Sequence, residues 1–158
     1  MPPILIAGVD GTGCDSNAQY ARDMANSFVN QLVRRVEGRG GSGDYHRGPT
    51  LMGNETGPLG AWAAGVIRSG LQAQAGAKVV LTGYSRGGAA VITAAQILGL
   101  QGQRVDLMVL FDAVDRSVTA SADSIPVNVK KVIHARRSML ACSRLYFGNC
   151  GTSYTPFI

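Results

Sequence analysis

The stretch of this sequence best suited to covalent chemistry contains a serine flanked by glycines. Gly83-Tyr84-Ser85-Arg86-Gly87 follows the apolar run 79–81 and precedes an alanine-rich segment. In a Gly-x-Ser-x-Gly motif the serine occupies a tight turn between strand and helix, with its hydroxyl held above the end of the strand. Glycines flank it because neighbouring chain passes close to the turn, where a Cβ would clash. The motif therefore predicts that Ser85 is a nucleophile.

An acidic residue lies where such a serine needs one. Asp112 follows the segment 105–111, the first predicted strand after the serine and its helix. A carboxylate at that strand end would orient the histidine that takes the serine's proton. Asp115 is the alternative, because a slightly longer strand would shift the choice along the chain. The sequence therefore predicts Asp112 as the acid, with Asp115 in reserve.

Backbone amides near the serine would stabilise the negative charge that forms on the substrate's carbonyl oxygen. The N–H of Arg86, the residue after the nucleophile, is the first predicted donor. The glycine-rich loop after the first predicted strand offers a second, through Gly11 and Thr12. Active sites in parallel sheets form where the carboxyl ends of the strands meet. We therefore expect these three residues to surround Ser85, in a reaction that needs no metal ion and no organic cofactor.

The base is the least certain member of the set, because the chain has two histidines. His46 precedes the serine, whereas the order on the hydrolase fold is serine, acid, histidine. His134 comes after the acid but stands inside the apolar run 132–135, which is typical of a strand. The base is therefore His134 or a histidine beyond Ile158.

Apolar runs and helical spacings alternate along the chain. Apolar runs predict buried strands at 4–9 and 79–81, and further strands are predicted at 105–111 and 129–135, with weaker signals at 44–47 and 143–147. Helical spacing predicts an amphipathic helix that begins near Asp15, Ser16 or Asn17 and carries Ala21, Ala25, Phe28, Leu32 and Val36 on its inner face. Further helices are predicted around 59–71 and 90–98. This alternation predicts one α/β domain, residues 1–158, with a doubly wound, mostly parallel sheet.

Composition and charge argue against several other classes of protein. Lys and Arg outnumber Asp and Glu by 15 to 10, but the basic residues are scattered and do not alternate with aromatic ones. We therefore expect no nucleic-acid partner. No apolar run reaches the roughly 20 residues of a membrane span. The first residues lack the order of a signal peptide, which predicts a cytoplasmic protein or export without a cleaved signal.

The three cysteines match no zinc-binding pattern. In an oxidising compartment Cys142 and Cys150 could pair and leave Cys14 free; otherwise all three are ordinary thiols. A dinucleotide loop is a further alternative, because Gly8, Gly11 and Gly13 follow the first strand. That fingerprint also needs an acidic residue about 20 positions on, and Asp44 is too distant.

Three segments together resemble a known family. Val9-Asp10-Gly11-Thr12-Gly13, Gly83-Tyr84-Ser85-Arg86-Gly87-Gly88 and Phe111-Asp112-Ala113-Val114 look like motifs of the α/β-hydrolase family that includes type VI secretion phospholipase effectors. The resemblance spans residues 4 to about 135. It implies ester hydrolysis, with an ester or lipid substrate and contact with a membrane surface. A His-Ala pair in that family's next strand implies that His134 is structural.

The chain also departs from that family. Members continue into a Thr/Val-His segment followed by two glycines, which has no counterpart before Ile158. We therefore expect the C-terminal strand and histidine loop to be missing, and to be supplied by a further C-terminal segment or a partner chain. The rival hypothesis is a catalytically inactive domain of the same fold that serves binding or assembly. Acyl transfer on the same serine is a third alternative.

Overall fold

A computed structural model describes residues 1–114, 122, 124–136 and 153–154. Five parallel strands form the main sheet, in the order β2-β1-β3-β4-β6. They are β1 Ile4–Val9, β2 Ser42–His46, β3 Lys78–Tyr84, β4 Leu107–Phe111 and β6 Val132–Ala135. A second, two-stranded parallel pair joins β5 Ser124–Ile125 to β7 Ser153–Tyr154. The helices are α1 Asn17–Asp23, α2 Phe28–Glu37, α3 Thr56–Ala73 and α4 Arg86–Leu100. The predicted doubly wound, parallel α/β architecture is confirmed.

The two faces of the sheet are covered by different helices. Alternate residues of β1 point to opposite faces, as the strand period of two requires. Leu5, Ala7 and Val9 join the larger core under α3 and α4. Ile6 packs with Val33 of α2 on the other face. The chain leaves β1 and β3 toward opposite edges of the sheet, so a crevice opens between the carboxyl ends of these two neighbours.

The prediction of a single helix from about residue 16 to Val36 was wrong, because two helices occupy this segment. Of the three predicted candidates, Ser16 caps α1, by accepting a hydrogen bond from the Gln19 N–H. The break comes at Ser27, whose hydroxyl accepts from the Asn30 N–H (3.1 Å) and starts α2 afresh. The inner face shifts with it. Val29 and Val33 are buried, whereas Phe28 is 64% exposed.

Other boundaries differ by a few residues. β4 begins at Leu107, and Val105 instead makes an isolated bridge to Val129. β6 is correspondingly shorter than the predicted run 129–135. The weak signal at 44–47 corresponds to β2, which pairs with β1. The strand-like segment 143–147 lies outside the described residues. Among the helices the structure describes, none is long and apolar enough to cross a membrane.

Candidate active site

Ser85 stands on a strained turn between β3 and α4. Its backbone has φ 53° and ψ −125°, a combination that side chains of L-residues disfavour. Hydrogen bonds to the end of β4 and to the segment after it hold the turn in place. The Ser85 N–H donates to the Phe111 carbonyl (3.0 Å), and the Ser85 carbonyl accepts from the Val114 N–H (3.1 Å). The turn is thus fastened to the segment that carries Asp112.

Three glycines let other backbone approach this turn. A Cβ on Gly83 would overlap the backbone of Gly87, and one on Gly88 would overlap Ala113. A Cβ on Gly87 would overlap the carbonyl oxygens of Val9 and Asp10 at the end of β1. The glycines therefore bring β1, β3 and α4 together under the serine.

Gly87→Ala is expected to lower the free energy of unfolding by about 3 kcal/mol. Alanine favours a helix by about 1 kcal/mol over glycine, but the clash with two rigid backbone carbonyls outweighs that gain. Gly65→Ala is the matched control, because Gly65 lies within α3 and its Cβ would meet open space. That change should stabilise the protein by about 0.5–1 kcal/mol. Urea unfolding of both variants checks the opposite signs, and equal effects would contradict the packing argument.

Asp112 lies directly beyond β4 and is buried, with 6% of its surface exposed. Its N–H donates to the Ala135 carbonyl of β6 (2.6 Å), and its φ is 46°. Within the described part of the chain, Ser85 and Asp112 are the two non-glycine residues with positive φ. Asp115, the reserve acid, falls outside the described residues.

The loop after β1 lies against the serine. A Cβ placed on Gly11 would come within 2.5 Å of the Tyr84 ring and 3.3 Å of the Ser85 Cβ. The Gly11 N–H donates to the Asp10 carboxylate (2.9 Å), so it is engaged within the loop. The Thr12 hydroxyl oxygen is buried and has no hydrogen-bond partner among the described residues. Within this loop, the Gly11 N–H is therefore engaged and the Thr12 hydroxyl is not.

Arg86 is the first residue of α4, and amides in the first turn of a helix do not bond within it. This is the position that the predicted oxyanion donor requires. Sequence reasoning missed the role of its side chain, which is 4% exposed. The guanidinium donates to the carbonyls of Thr50 (2.9 Å) and Gly53. It therefore fixes the loop before α3 against the edge of the sheet that carries Ser85.

A buried polar cluster behind the Gly11–Thr12 loop was also missed. Asp10 is fully buried, and its Oδ2 accepts from Ser27 Oγ (2.5 Å) and Tyr45 Oη (2.6 Å). Tyr20 Oη donates to the Gly11 carbonyl (2.6 Å) and accepts from the Gly48 N–H (2.8 Å). Burial raises the pKa of Tyr20 to about 12. Burial and then the hydrogen bond to the Asp10 carboxylate raise the pKa of Tyr45. Both hydroxyls therefore stay protonated at neutral pH.

Both histidines contact main-chain atoms. The His134 Nε2 lies 3.2 Å from the Ala113 N, and its Nδ1 lies 3.2 Å from Arg136 Nε. A neutral imidazole accepts at one nitrogen only, so these two contacts cannot both be hydrogen bonds in one tautomer. The His46 Nδ1 lies 2.6 Å from the Arg47 carbonyl, and its ring packs edge-on against Trp62. His134 thus lies beside the segment that carries Asp112, and His46 belongs to the β2–α3 side.

Cys14 is exposed and unpaired as a thiol. Cys142 and Cys150 lie outside the described residues, so their predicted pairing stays a prediction.

Comparison with known proteins gives the fold a wider context. No family model matches the sequence, and no curated protein matches it. A cutinase-like protein from Cryptococcus sp. is similar in structure over 99% of this chain and 82% of its own, at 20% identity and a TM-score of 0.50. A type II thioesterase from the yersiniabactin NRPS/PKS pathway covers 77% of this chain at 12% identity and a TM-score of 0.42. This chain spans 47% of that thioesterase. With its parallel five-stranded sheet and flanking helices, the chain has an α/β-hydrolase-type fold.

Proposed function

We propose that this protein is a serine hydrolase that cleaves carboxylic esters, with Ser85 as nucleophile and Asp112 as acid. The observation that carries the proposal is the backbone of these two residues: Ser85 has φ 53° and ψ −125°, and Asp112 has φ 46°. The Ser85 conformation costs about 1–3 kcal/mol, and strained backbone of this kind clusters at active sites. A positive φ is uncommon for a residue other than glycine, although aspartate tolerates it better than most. The motif and the order of chain segments indicate the same two residues, independently of their backbone angles.

In the proposed reaction Ser85 Oγ attacks the ester carbonyl carbon while the base takes the hydroxyl proton. The carbonyl oxygen becomes an oxyanion, which accepts hydrogen bonds from the Arg86 N–H and from Thr12. Collapse of this intermediate breaks the bond to the alcohol, which leaves with the proton from the base. Water then attacks the acyl-serine by the same steps and releases the acid.

Thr12 is the favoured second donor, through its N–H as well as its hydroxyl, because the Gly11 N–H is already bonded to Asp10 and the Thr12 hydroxyl has no partner among the described residues. A buried hydroxyl without a partner costs about 1–3 kcal/mol, and an oxyanion would satisfy it. The base stays a prediction with two alternatives, His134 and a histidine beyond Ile158. Asp112 would orient either one.

We further propose that the ester carries an apolar acyl group, lipids included. Two apolar residues in the loop that Arg86 holds, Leu51 and Met52, are 62% and 90% exposed. On the α2 side Phe28 stacks on Phe111, the residue before the acid, with ring centroids 5.1 Å apart. The motif resemblance to phospholipase effectors also supports a lipid ester.

A fluorophosphonate probe tests the proposed function, because it reacts only with an activated serine. We expect labelling that peptide mapping places on Ser85 and that heat denaturation abolishes. Ser16, an exposed helix cap, is the internal control and should stay unlabelled. Failure of Ser85 to react in the folded chain, also when the native segment beyond Ile158 is supplied, would overturn the proposal in favour of a binding or assembly domain of the same fold.

A further inference from the structure

We propose that Asp10 and Tyr20 are positioning residues that aim the Thr12 N–H at the developing oxyanion. The inference rests on the proposed function and deepens it. The two residues hold the two peptide units that flank Gly11, one from each side. Neither touches the reacting atoms, so both would act through the loop.

Asp10 fixes the first of these peptide units. Its Oδ1 accepts the Gly11 N–H (2.9 Å), while its Oδ2 accepts the two hydroxyls of Ser27 and Tyr45. A carboxylate only accepts, and its two oxygens offer about four acceptor positions, which suits three converging donors. The side chain is therefore held from α2 and from β2 and cannot turn away from Gly11. The Asp10 N–H, bonded to the His46 carbonyl (3.1 Å), secures the main chain as well.

Ser27 fixes the direction of its own hydrogen bond to Asp10. Its hydroxyl oxygen accepts the Asn30 N–H as the cap of α2 (3.1 Å), so its hydrogen is left to point at Asp10. The same residue that interrupts the predicted long helix is thus a donor to the buried carboxylate. The break in the helix has a role at the site.

Tyr20 fixes the second peptide unit, which contains the Gly11 carbonyl and the Thr12 N–H. Its hydroxyl donates to the Gly11 carbonyl oxygen (2.6 Å). A trans peptide is planar, and its N–H points opposite to its C=O. Holding the carbonyl toward Tyr20 therefore turns the Thr12 N–H away from Tyr20. Gly48 closes the loop from a further side, because a Cβ there would overlap the carbonyls of Asp10 and Gly11.

The negative charge of Asp10 indicates that this residue positions the loop and does not itself stabilise the oxyanion. A buried negative charge repels a nearby oxyanion, so this carboxylate does not stabilise the transition state directly. Asp10 would instead help the reaction by keeping the Thr12 N–H correctly oriented before the substrate binds. Preorganised donors avoid the cost of reorganisation during the reaction.

The test measures steady-state hydrolysis of p-nitrophenyl butyrate and inhibition by an alkyl trifluoromethyl ketone, which forms an oxyanion on the serine. Tyr20→Phe keeps the ring and loses the hydroxyl. We expect it to lower kcat about 10- to 100-fold with KM nearly unchanged, because a misaimed donor is lost only in the transition state. The ketone's affinity should fall by the same factor. Asp10→Ala should act in the same direction.

A double-mutant cycle identifies the route through Asp10. Tyr45→Phe should lower kcat in the parent and have no further effect in the Asp10→Ala variant, because Tyr45 would act only by holding that carboxylate. Asn128→Ala is the matched control for lost stability. Its side-chain amide donates to the carbonyls of Ala95 and Gln103 (both 2.9 Å), beside the C-terminal half of α4. This variant should lose stability but keep the parent's kcat.

The outcomes separate the two proposals. If the parent reacts with the fluorophosphonate and Tyr20→Phe keeps the parent's kcat and ketone affinity, the inference is wrong and the proposed function stands. The inference also fails if Asn128→Ala lowers kcat as much as Tyr20→Phe, because loss of stability then explains both. A parent with no reactive Ser85 overturns the proposed function and the inference with it.

Discussion

Ser85→Gly is expected to abolish ester hydrolysis and at the same time to stabilise the fold. Loss of the nucleophile should lower kcat about a millionfold, as removal of the catalytic serine does in other serine hydrolases. Glycine accepts φ 53° and ψ −125° without strain, which should recover about 1–3 kcal/mol. The greater conformational freedom of glycine in the unfolded chain lowers the free energy of unfolding by about 0.5–1 kcal/mol. The net effect should therefore be stabilising.

Ser85→Ala is the control for this prediction. It removes the same hydroxyl but keeps a Cβ on the strained turn, so it should lose activity without gaining stability. Urea unfolding and hydrolysis assays of both variants give the comparison. Equal stabilities of the glycine and alanine variants would show that the turn stores no strain, and would remove the main support for Ser85 as nucleophile.

Asp112→Asn is expected to lower kcat about ten-thousandfold while leaving the protein folded. Asparagine has the shape of aspartate and tolerates positive φ, so the turn at φ 46° should survive. It lacks the negative charge that would orient and stabilise a protonated histidine. The reaction should therefore lose its acid without losing its architecture.

Two further variants sharpen the assignment of the acid. Asp112→Ala should be both inactive and less stable, because alanine at positive φ adds strain to the loss of the carboxylate. Asp115→Asn should keep the parent's rate, measured by hydrolysis and by the rate of fluorophosphonate labelling. Full activity of Asp112→Asn together with inactive Asp115→Asn would move the acid to the reserve candidate.

The parts of the fold that local pattern decides were predictable. The runs at β1 and β3 are apolar throughout because both faces of these strands are buried, and the Gly-x-Ser-x-Gly spacing requires a strand before the serine and a helix after it. The order of chain segments then indicated which strand ends could meet. These are short-range signals, and each had a single physical explanation.

What escaped prediction depends on contacts between distant segments. The helical spacing of residues 17–36 gave no reason to stop at Ser27, whose hydroxyl is drawn to Asp10 at the end of β1. Arg86 looked like part of the motif, but its side chain reaches the carbonyls of Thr50 and Gly53. An aspartate directly after a buried strand was a usable signal for a polar cluster, yet its donors could not be named without the fold.

The order of strands in the sheet bears on how the protein folds. β1 lies inside the sheet, yet its two partners begin at Ser42 and Lys78, so this strand must wait for segments that come much later in the chain. Closing such large loops slows folding, because the conformational entropy of the loop is lost before the strand pairing can stabilise the structure. Until then the run Ile4–Val9 is an apolar strand with both edges open. Early in refolding, this segment is therefore at risk of pairing with another chain and aggregating.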